Sequence, residues 1–296
     1  MKRFVSLLLC LALIMGLSVA IAETWLCPNC GKASDGNFCP WCGEKKPPVK
    51  VVCPRCKSSY DLEVGYAFCM ECGTSLTPVG GEIRDSWEDI LAAIDDGIVQ
   101  RCYAVGAYKP LDFGKFGTVN MQIAGFDLDE RADGQGKAAT TWIAMEQLSE
   151  THRMNPKLEE GKEGTGMLGG WEKTELRQWL NDEVFPAMSS NIRNRLIVVK
   201  KMQRGYNLLS DEEWQVNEDR IWIPSHDEIF GTTALYYGLF FGLNKNRVRE
   251  QNGSAAWWWL RSANNFISAH TVISNGSNNY TGVNNSSGGI VIGFCL

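Results

Sequence analysis

Residues 27–72 contain CPNCGK (27–32), FCPWCGE (38–44), CPRCKS (53–58) and FCMECGT (68–74), and this stretch decides how the N-terminal part of the chain folds. Two residues between paired cysteines let one tight turn aim both sulfurs at a single tetrahedral ion. A glycine follows three of these pairs and lets the backbone curl so that amide N–H groups face the thiolates. Two pairs complete one site, so the spacing predicts two structural zinc sites. The predicted ligands are Cys27, Cys30, Cys39 and Cys42 for the first site and Cys53, Cys56, Cys69 and Cys72 for the second.

A disulfide framework is the alternative interpretation of these cysteines, because an exported protein meets oxidising conditions. Four regular CxxC pairs with proline and glycine at the turn positions favour metal binding over disulfides. Each unit is too small to fold on a hydrophobic core, so the metal would hold the fold together. A redox role is not favoured, since no βαβ pattern flanks any of the pairs.

This segment resembles the double zinc-ribbon modules that many bacterial proteins carry as N-terminal adaptors. We place the double ribbon at residues 23–79, with its two ribbons at residues 27–42 and 53–72. Basic and acidic side chains balance across it, and thiolates around two zinc ions would add negative charge. Such a surface does not attract phosphate, so we expect no nucleic-acid partner.

The N-terminus has the pattern of an export signal. Lys2 and Arg3 precede the uncharged run FVSLLLCLALIMGLSVAIA at residues 4–22, which ends in the small residues Ala20 and Ala22. A signal peptidase accepts that ending, so we expect cleavage after Ala22 and a protein that is secreted or associated with the cell surface. The run is also long enough to stay as an uncleaved anchor, the one case in which we expect a membrane partner.

The overall composition is that of an ordinary globular protein. Hydrophobic residues make up 44% and charged residues 21% of the 296 residues, which excludes a disordered or collagen-like chain. The formal net charge of −5 argues against a protein that binds nucleic acid through a cationic surface.

The chain after the ribbons reads as an α+β body. The pattern of apolar residues predicts a short helix within a linker at residues 80–97, ended by Gly97. Short strand-like and helical segments follow. We assign residues 98–296 to one domain that includes a distinct C-terminal region at residues 257–296.

Catalytic motifs are sparse in this body. His152, His226 and His270 are its histidines, and the run SHD at residues 225–227 holds the letters of a catalytic triad. Adjacent residues cannot converge on a substrate as a triad must, so no triad is predicted. Four paired acids are interpreted as solvated loop charges: Asp127, Asp129, Glu159 and Glu160. We therefore expect no enzymatic activity and no catalytic residues.

The C-terminal region differs from the rest of the chain in composition. Arg261 is the only formally charged side chain between Trp257 and Leu296, and asparagines are concentrated between residues 264 and 285. One interpretation is a series of Asn/Gly-rich turns between strands. The other is a binding surface, because Asn and Ser give adaptable hydrogen bonds and Tyr gives contact area at low entropic cost. The predicted ligand contacts are Asn264, Asn265, Phe266, Ser268, His270, Ser274, Asn275, Ser277, Asn278, Asn279, Tyr280, Asn284 and Asn285.

Residues at the start of this region are expected to form its scaffold. They are Trp257, Trp258, Trp259 and Leu260, followed by Arg261, which we expect to form a buried ion pair.

Spaced motifs in the body carry a family resemblance. They are AGFDLDE (124–130), GGWEKTELRQWLNDEVF (169–185), IWIPSHDEIF (221–230), WWWLRS (257–262) and GGIVIGF (288–294). In this order they resemble an exported bacterial family of domains of unknown function with a C-type-lectin-like fold, related to formylglycine-generating enzymes. Some proteins of this fold are the variable proteins of diversity-generating retroelements, whose C-terminal repeat is rewritten at asparagine codons.

The resemblance implies a specific fold class and function. The fold is α+β, a C-type-lectin-like domain preceded by small zinc ribbons. Its N- and C-terminal strands pair, which would bring Cys102 and Cys295 together as a disulfide. The function is display of a diversified surface that binds an unknown protein or glycan. Calcium is not expected, because no EPN motif is present.

Two other functions are kept as alternatives. The first is a non-variable structural or interaction protein of the cell envelope, with the Asn-rich surface as a solvated rim. The second is an enzyme of the formylglycine-generating type. That enzyme would need a reactive cysteine pair in the body, where only Cys102 and Cys295 remain.

Overall fold

A computed structural model describes residues 25–47, 50–61, 67–206, 212–231 and 235–296. The predicted export signal at the N-terminus lies outside the described residues. Among the residues that are described, no helix combines the length and the apolar character needed to cross a bilayer. The chain divides into two compact units, described one at a time below: residues 1–51 with 59–66, and residues 52–58 with 67–296.

The helices and strands are short throughout. The strands are β1 (Trp25–Leu26), β2 (Ala33–Ser34), β3 (Lys50–Val52), β4 (Ser59–Asp61), β5 (Tyr108–Asp112), β6 (Thr118–Phe126), β7 (Thr140–Ala144), β8 (Val199–Tyr206), β9 (Glu212–Asp219), β10 (Ile221–Trp222), β11 (Arg249–Gln251), β12 (Ser254–Ala256), β13 (Trp258–Asn265), β14 (Ser268–Val272), β15 (Asn278–Gly282) and β16 (Gly293–Cys295). The α-helices are α1 (Trp87–Asp95), α2 (Val99–Cys102), α3 (Glu175–Trp179), α4 (Phe185–Ala187), α5 (Ser190–Arg193) and α6 (His226–Phe230). Tighter or wider turns are the 3₁₀ turns Gly114–Phe116, Trp171–Lys173, Gly238–Phe240 and Asn244–Arg247, and the π-helical turn Leu180–Val184.

The described residues of the first unit form almost no apolar core. β1 and β2 pair antiparallel, and the Trp25 indole N–H donates to the Gly36 carbonyl at 2.7 Å. Large apolar side chains such as Phe38 and Trp41 are exposed, whereas Cys27 and Cys39 are buried. Cysteine sulfurs, not hydrocarbon, therefore occupy the centre of this unit.

The second unit is built on an antiparallel sheet. Within the described residues its strand order is β10-β16-β7-β6-β5, so the C-terminal strand β16 lies inside the sheet between β10 and β7. Every side chain of β7 is buried, and the Trp142 ring packs against that of Trp87 in α1. Several tryptophans are fully buried in this core: Trp142, Trp171, Trp222, Trp258 and Trp259.

A second antiparallel sheet carries the C-terminal region. Its strand order within the described chain is β13-β14-β15, with β15 at the open edge. The first six side chains of β13 are buried, which anchors the sheet in the core. β8 and β9 form a long hairpin, and β11 and β12 form a short one around Asn252 and Gly253.

The predicted short helix is present as α1. The Ser86 side chain accepts the Asp89 backbone N–H, and the Asp89 carboxylate accepts the Ser86 N–H in return. This capping box fixes the start of the helix. Gly97 follows its end with a φ of +67°, the left-handed conformation that glycine adopts at no steric cost.

The predicted disulfide between Cys102 and Cys295 is wrong in this structure. Both are buried free thiols. The pairing of terminal strands, from which the disulfide was expected, does not occur, since β6 and β7 lie between β5 and β16. Three strand spacings place β5 and β16 about 14 Å apart. Cys102 lies in α2, shortly before β5, and Cys295 packs beside Thr141 and Asp129.

Candidate metal centres and ligand-binding face

The first cysteine cluster brings together all four predicted ligands of the first site. The Sγ atoms of Cys27 and Cys42 are 3.5 Å apart, as are those of Cys30 and Cys39. All four sulfurs lie within 4.8 Å of one another. The Gly31 and Gly43 N–H groups donate to the carbonyls of the first cysteine in each pair, at 2.8 and 2.9 Å, with φ values of +69° and +75°. These two turns aim the sulfurs inward.

The second cluster, in the other unit, repeats this geometry with its own four cysteines. The Sγ atoms of Cys53 and Cys72 are 3.6 Å apart, and those of Cys56 and Cys69 are 3.3 Å apart. The hydroxyl oxygens of Ser58 and Thr74 lie 3.2 Å from the sulfurs of Cys56 and Cys72. The Thr74 hydroxyl and backbone N–H lower the pKa of Cys72, because hydrogen bonds to sulfur favour the thiolate.

Both clusters fit a tetrahedral metal ion. A Zn–S bond length of 2.3 Å places neighbouring sulfurs of a tetrahedron about 3.8 Å apart. The sulfur–sulfur distances given above are close to that value and far longer than the roughly 2.0 Å of a disulfide. The two groups of four cysteines could therefore hold metal ions, as the CxxC spacing predicts.

Most of the predicted ligand contacts lie on β15 and the turns around it. Seven of the predicted side chains are exposed: Ser274, Asn275, Asn278, Asn279, Tyr280, Asn284 and Asn285. Five are partly buried: Asn264, Asn265, Phe266, His270 and Ser277. Ser268 is buried at 5% exposure, so its assignment as a ligand contact is wrong. The Ser268 hydroxyl instead donates to Asn265 Oδ1 at 2.8 Å and holds the β13–β14 turn.

Polar side chains also hold the turns of this surface. Asn275 Oδ1 accepts the Ser277 N–H at 3.0 Å, and Asn285 Oδ1 accepts the Ser287 N–H at 2.9 Å. These contacts are the Asn-based turns that the composition also suggested. Turn formation and exposure are therefore compatible at the same residues, since these contacts use the side-chain oxygen and not the NH2 donors.

The turn between β14 and β15 packs tightly against a neighbouring loop. The Asn244 amide donates to the Ser277 hydroxyl at 3.0 Å. A Cβ at Gly276 would lie 2.0 Å from the Asn244 carbonyl oxygen. At the middle of β14, the His270 ring packs at a tilt against that of His226, with centroids 4.4 Å apart. The β14–β15 hairpin, which carries the exposed side chains, is thus packed against neighbouring segments at its turn and at the middle of β14.

Three exposed apolar side chains near this surface were not predicted from the sequence. Ile267, in the β13–β14 turn, is 57% exposed, and Phe241 and Leu243, which precede Asn244, are 75% and 63% exposed. Little in the sequence indicates that these three side chains are exposed. The stretch from Leu235 to Leu243 reads as uniformly apolar and hence buried, yet only part of it packs into the core.

The region expected to be scaffold is indeed buried. Trp258, Trp259 and Leu260 are fully buried, and Trp257 is partly buried. Arg261 is fully buried and pairs with Glu228 through both oxygens, at 2.7 and 2.8 Å, which confirms the predicted ion pair. No charged side chain of residues 257–296 is therefore exposed.

A buried network of charges around Arg261 was largely missed. Lys201 is fully buried, and its Nζ lies 2.6 Å from both Asp129 Oδ1 and Glu228 Oε1. The Tyr237 hydroxyl donates to Glu228 Oε1 at 3.1 Å. Asp129 is only 8% exposed, so its interpretation as a solvated loop charge is wrong, whereas Asp127 is exposed as expected.

Charge balance stabilises the ionised forms in this network. Burial alone would raise the pKa of Glu228, but the Arg261 guanidinium and the Lys201 ammonium bring it down to about 2. Burial would lower the pKa of Lys201, but the carboxylates of Asp129 and Glu228 raise it. Two cations and two anions thus share one buried site, and the network joins β8, α6, β13 and the loop after β6.

The triad-like run at residues 225–227 has a structural role. The Ser225 hydroxyl accepts the Glu228 N–H at 3.2 Å, and Glu228 Oε2 accepts the Ser225 N–H at 2.8 Å. This capping box begins α6 and fixes Glu228 for its contact with Arg261. The His226 ring packs against that of His270.

Comparisons with known proteins place the body of the chain in a family. Neither the comparison with curated proteins nor that with solved structures gave a match. Residues 147–296 match the family described as Domain of unknown function (DUF6273), which is slightly more than half of the 296-residue chain. By this match, the chain belongs to the DUF6273 family.

Proposed function

We propose that this protein is exported and binds a ligand through the exposed surface of residues 264–286. The observation that carries the proposal is the combination of exposure and charge in this segment. β15 and its flanking turns expose asparagine, serine and tyrosine, while the one charged side chain of the region, Arg261, is buried. An uncharged polar surface costs less to desolvate than a charged one and can form hydrogen bonds with many partners.

The rigid base of this surface also supports a binding role. Binding sites gain affinity when their contact residues are held before the ligand arrives. Here β13 is anchored in the core and Gly276 packs on the Asn244 carbonyl. A solvated rim without a function would not need such anchoring.

We further propose a C-type-lectin-like scaffold with a diversified surface. The mixture of short antiparallel strands, short helices and long ordered loops is compatible with that scaffold. Diversification is supported by the residue set of the exposed segment, which consists of types that asparagine codons reach through changes at adenine.

The flanking DNA tests the proposed diversification directly. We expect a near-identical template repeat that differs at adenines, with a reverse-transcriptase gene nearby, and their absence would reject diversification.

Binding itself is tested with the purified full-length chain. The probes are an immobilised panel of glycans and a panel of peptides, with the variant Asn278→Ala/Asn279→Ala/Tyr280→Ala as the comparison. We expect at least one probe to bind the natural chain and to lose affinity for the variant. A matched control changes exposed polar residues elsewhere, Glu159→Ala/Glu160→Ala, and should bind normally. Equal binding by both variants would contradict the proposed location of the site.

For the N-terminal ribbons we propose Zn²⁺ as the bound metal and an adaptor or spacer role. Four thiolates at tetrahedral spacing favour Zn²⁺ over Mg²⁺ or Ca²⁺, which prefer oxygen ligands. The exposed Phe38 and Trp41 of the first ribbon offer apolar contact area. The metal would contribute the stability that so small a unit cannot draw from an apolar core.

A further inference from the structure

The outer edge of β15 is the feature from which we infer the class of ligand. β15 pairs with β14 on one side, in a regular antiparallel register from His270↔Tyr280 to Val272↔Asn278. Within the described chain no strand pairs with its other side. An open strand edge presents backbone N–H and C=O groups that another extended chain can bind.

Hydrogen bonds at both ends of the hairpin identify which residues face outward. The Ile273 N–H donates to the Ser277 carbonyl at 3.0 Å, and the Val283 N–H donates to the Ile267 carbonyl at 3.1 Å. Hydrogen-bonded pairs alternate with non-hydrogen-bonded pairs along an antiparallel ladder. The backbone groups of Asn279 and Thr281 therefore point to β14, and those of Asn278, Tyr280 and Gly282 point outward.

The Asn279 side chain already occupies one of the positions that a further strand would take. Asn279 Oδ1 accepts the outward N–H of Tyr280 at 2.9 Å, where the carbonyl of a neighbouring strand would lie. At the far end, the Gly282 carbonyl accepts the Asn285 N–H at 3.0 Å, so the turn covers that end. An added strand would replace the Asn279 side chain at the Tyr280 N–H, so the part of the edge available for pairing runs from Asn278 to Tyr280.

Apart from the Asn279 side chain and the turn at Gly282, this edge lacks the features with which proteins protect exposed strands. Lysine, proline, bulges and inward charges commonly prevent unwanted strand pairing. The edge strand β5 of the main sheet contains Lys109 and Pro110, and the Ile83 N–H donates to its Tyr108 carbonyl. β15 reads NNYTG, with no charge, no proline and no register shift against β14.

We propose that this edge binds an extended polypeptide segment, which adds to the β13-β14-β15 sheet as a further strand. The inference rests on the ligand-binding role proposed above and names the class of ligand. Main-chain hydrogen bonds would provide affinity, and the exposed side chains of Tyr280 and Ile267 would select among sequences. Substitution of asparagines on this surface leaves the backbone edge intact. An anchor of this kind therefore tolerates change at the residues around it.

The test uses the full-length chain and a phage library of linear peptides, followed by affinity measurements with a selected synthetic peptide. Tyr280→Pro removes the outward N–H without breaking a bond to β14, a position where sheets tolerate proline. Tyr280→Ala is the matched control, since it removes the ring but keeps the N–H. We expect the proline variant to bind about tenfold more weakly than the alanine variant, the effect of losing main-chain hydrogen bonds.

A scan of the bound peptide provides a readout that does not depend on folding of a variant. N-methylation at successive peptide positions should weaken binding at every second position, because alternate N–H groups face β15. A scan without this alternation overturns the inference, as do equal affinities of two folded Tyr280 variants. If no linear peptide binds while a glycan binds at Asn278–Tyr280, the inference fails but the proposed function stands. If neither class of probe binds, both fail.

Discussion

Glu228 is the residue on which the buried charge network depends. Its two oxygens accept both terminal nitrogens of Arg261, and one of them also lies 2.6 Å from Lys201 Nζ. The same carboxylate caps α6 through the Ser225 N–H. Buried ion pairs often contribute little net stability compared with apolar packing, but removing one partner leaves an uncompensated charge.

We predict that Glu228→Gln destabilises the second unit by about 3 kcal/mol and lowers its melting temperature by about 10 °C. The folded-state pKa of Glu228, about 2, lies below its ordinary value of 4.5. A depressed carboxyl pKa adds stability above pH 4.5, and that stability is lost as the pH falls toward 2. Thermal unfolding measured across this pH window should therefore show a steeper decline for the natural chain than for the variant.

The control for this substitution is Glu218→Gln, which changes an exposed carboxylate on β9. We expect its melting temperature to stay within about 2 °C of that of the natural chain, because surface substitutions seldom exceed about 0.5 kcal/mol. Similar effects of the two substitutions would contradict the central role of Glu228.

Cys102 and Cys295 provide a second prediction at this scale. Both are buried free thiols in different surroundings, and burial raises the pKa of each. We expect both to remain unmodified by iodoacetamide in the folded protein and both to be alkylated once it is unfolded without reductant. Peptide mapping by mass spectrometry measures this. A peptide pair joined through Cys102 and Cys295 would restore the disulfide that the resemblance implied.

Among the structural elements, the β14–β15 hairpin determines how the exposed surface is presented. Gly276 has a φ of +83°, and its missing Cβ would lie 2.0 Å from the Asn244 carbonyl oxygen. Gly253, in the β11–β12 turn, has a similar φ of +76° but nothing within 4 Å of its Cβ position. Substitutions at the two glycines therefore distinguish the cost of a left-handed backbone from the cost of a steric clash.

We predict that Gly253→Ala costs about 1 kcal/mol, from the left-handed conformation alone. Gly276→Ala should cost about 1–3 kcal/mol more, because the Asn244 loop must move. The larger change should also reduce ligand binding, since that loop supports the turn through Ser277. Chemical unfolding of the two variants measures the difference between their free energies of unfolding. Equal losses of stability would show that the Asn244 loop moves aside at no cost.

The elements also show which features a sequence can and cannot predict. The cysteine clusters were predictable because two turns of the CxxC type are local and recur at fixed spacing. The charge network around Arg261 was not predictable, because Asp129, Lys201 and Glu228 come together only through tertiary packing. The sequence does indicate that one cation is buried. In the apolar run LIVVKKM at residues 196–202, side chains alternate along a strand, so one of the two lysines must point inward.

At the scale of the whole molecule, charge is distributed unevenly. The chain has a formal net charge of −5, yet the region from Trp257 to Leu296 exposes no charged side chain. The exposed side chains of this region therefore contribute no formal charge to recognition, and they act through short-range hydrogen bonds and packing. The exposed apolar side chains Phe38, Trp41 and Phe68 lie in the ribbons. The ribbons thus expose large apolar side chains, whereas residues 264–286 expose mainly uncharged polar ones.

The metal content of the full-length chain is a property to which both units contribute. We expect two zinc ions per chain, because each group of four cysteines has the geometry of one tetrahedral site. Elemental analysis of Cys39→Ser and of Cys69→Ser should each give one zinc fewer, and Cys102→Ser should leave the zinc content unchanged. Removal of metal should unfold the first ribbon but leave the core of the second unit folded, since Trp142 and its neighbours pack without metal. A metal-free chain with oxidised CxxC pairs would instead support the disulfide interpretation.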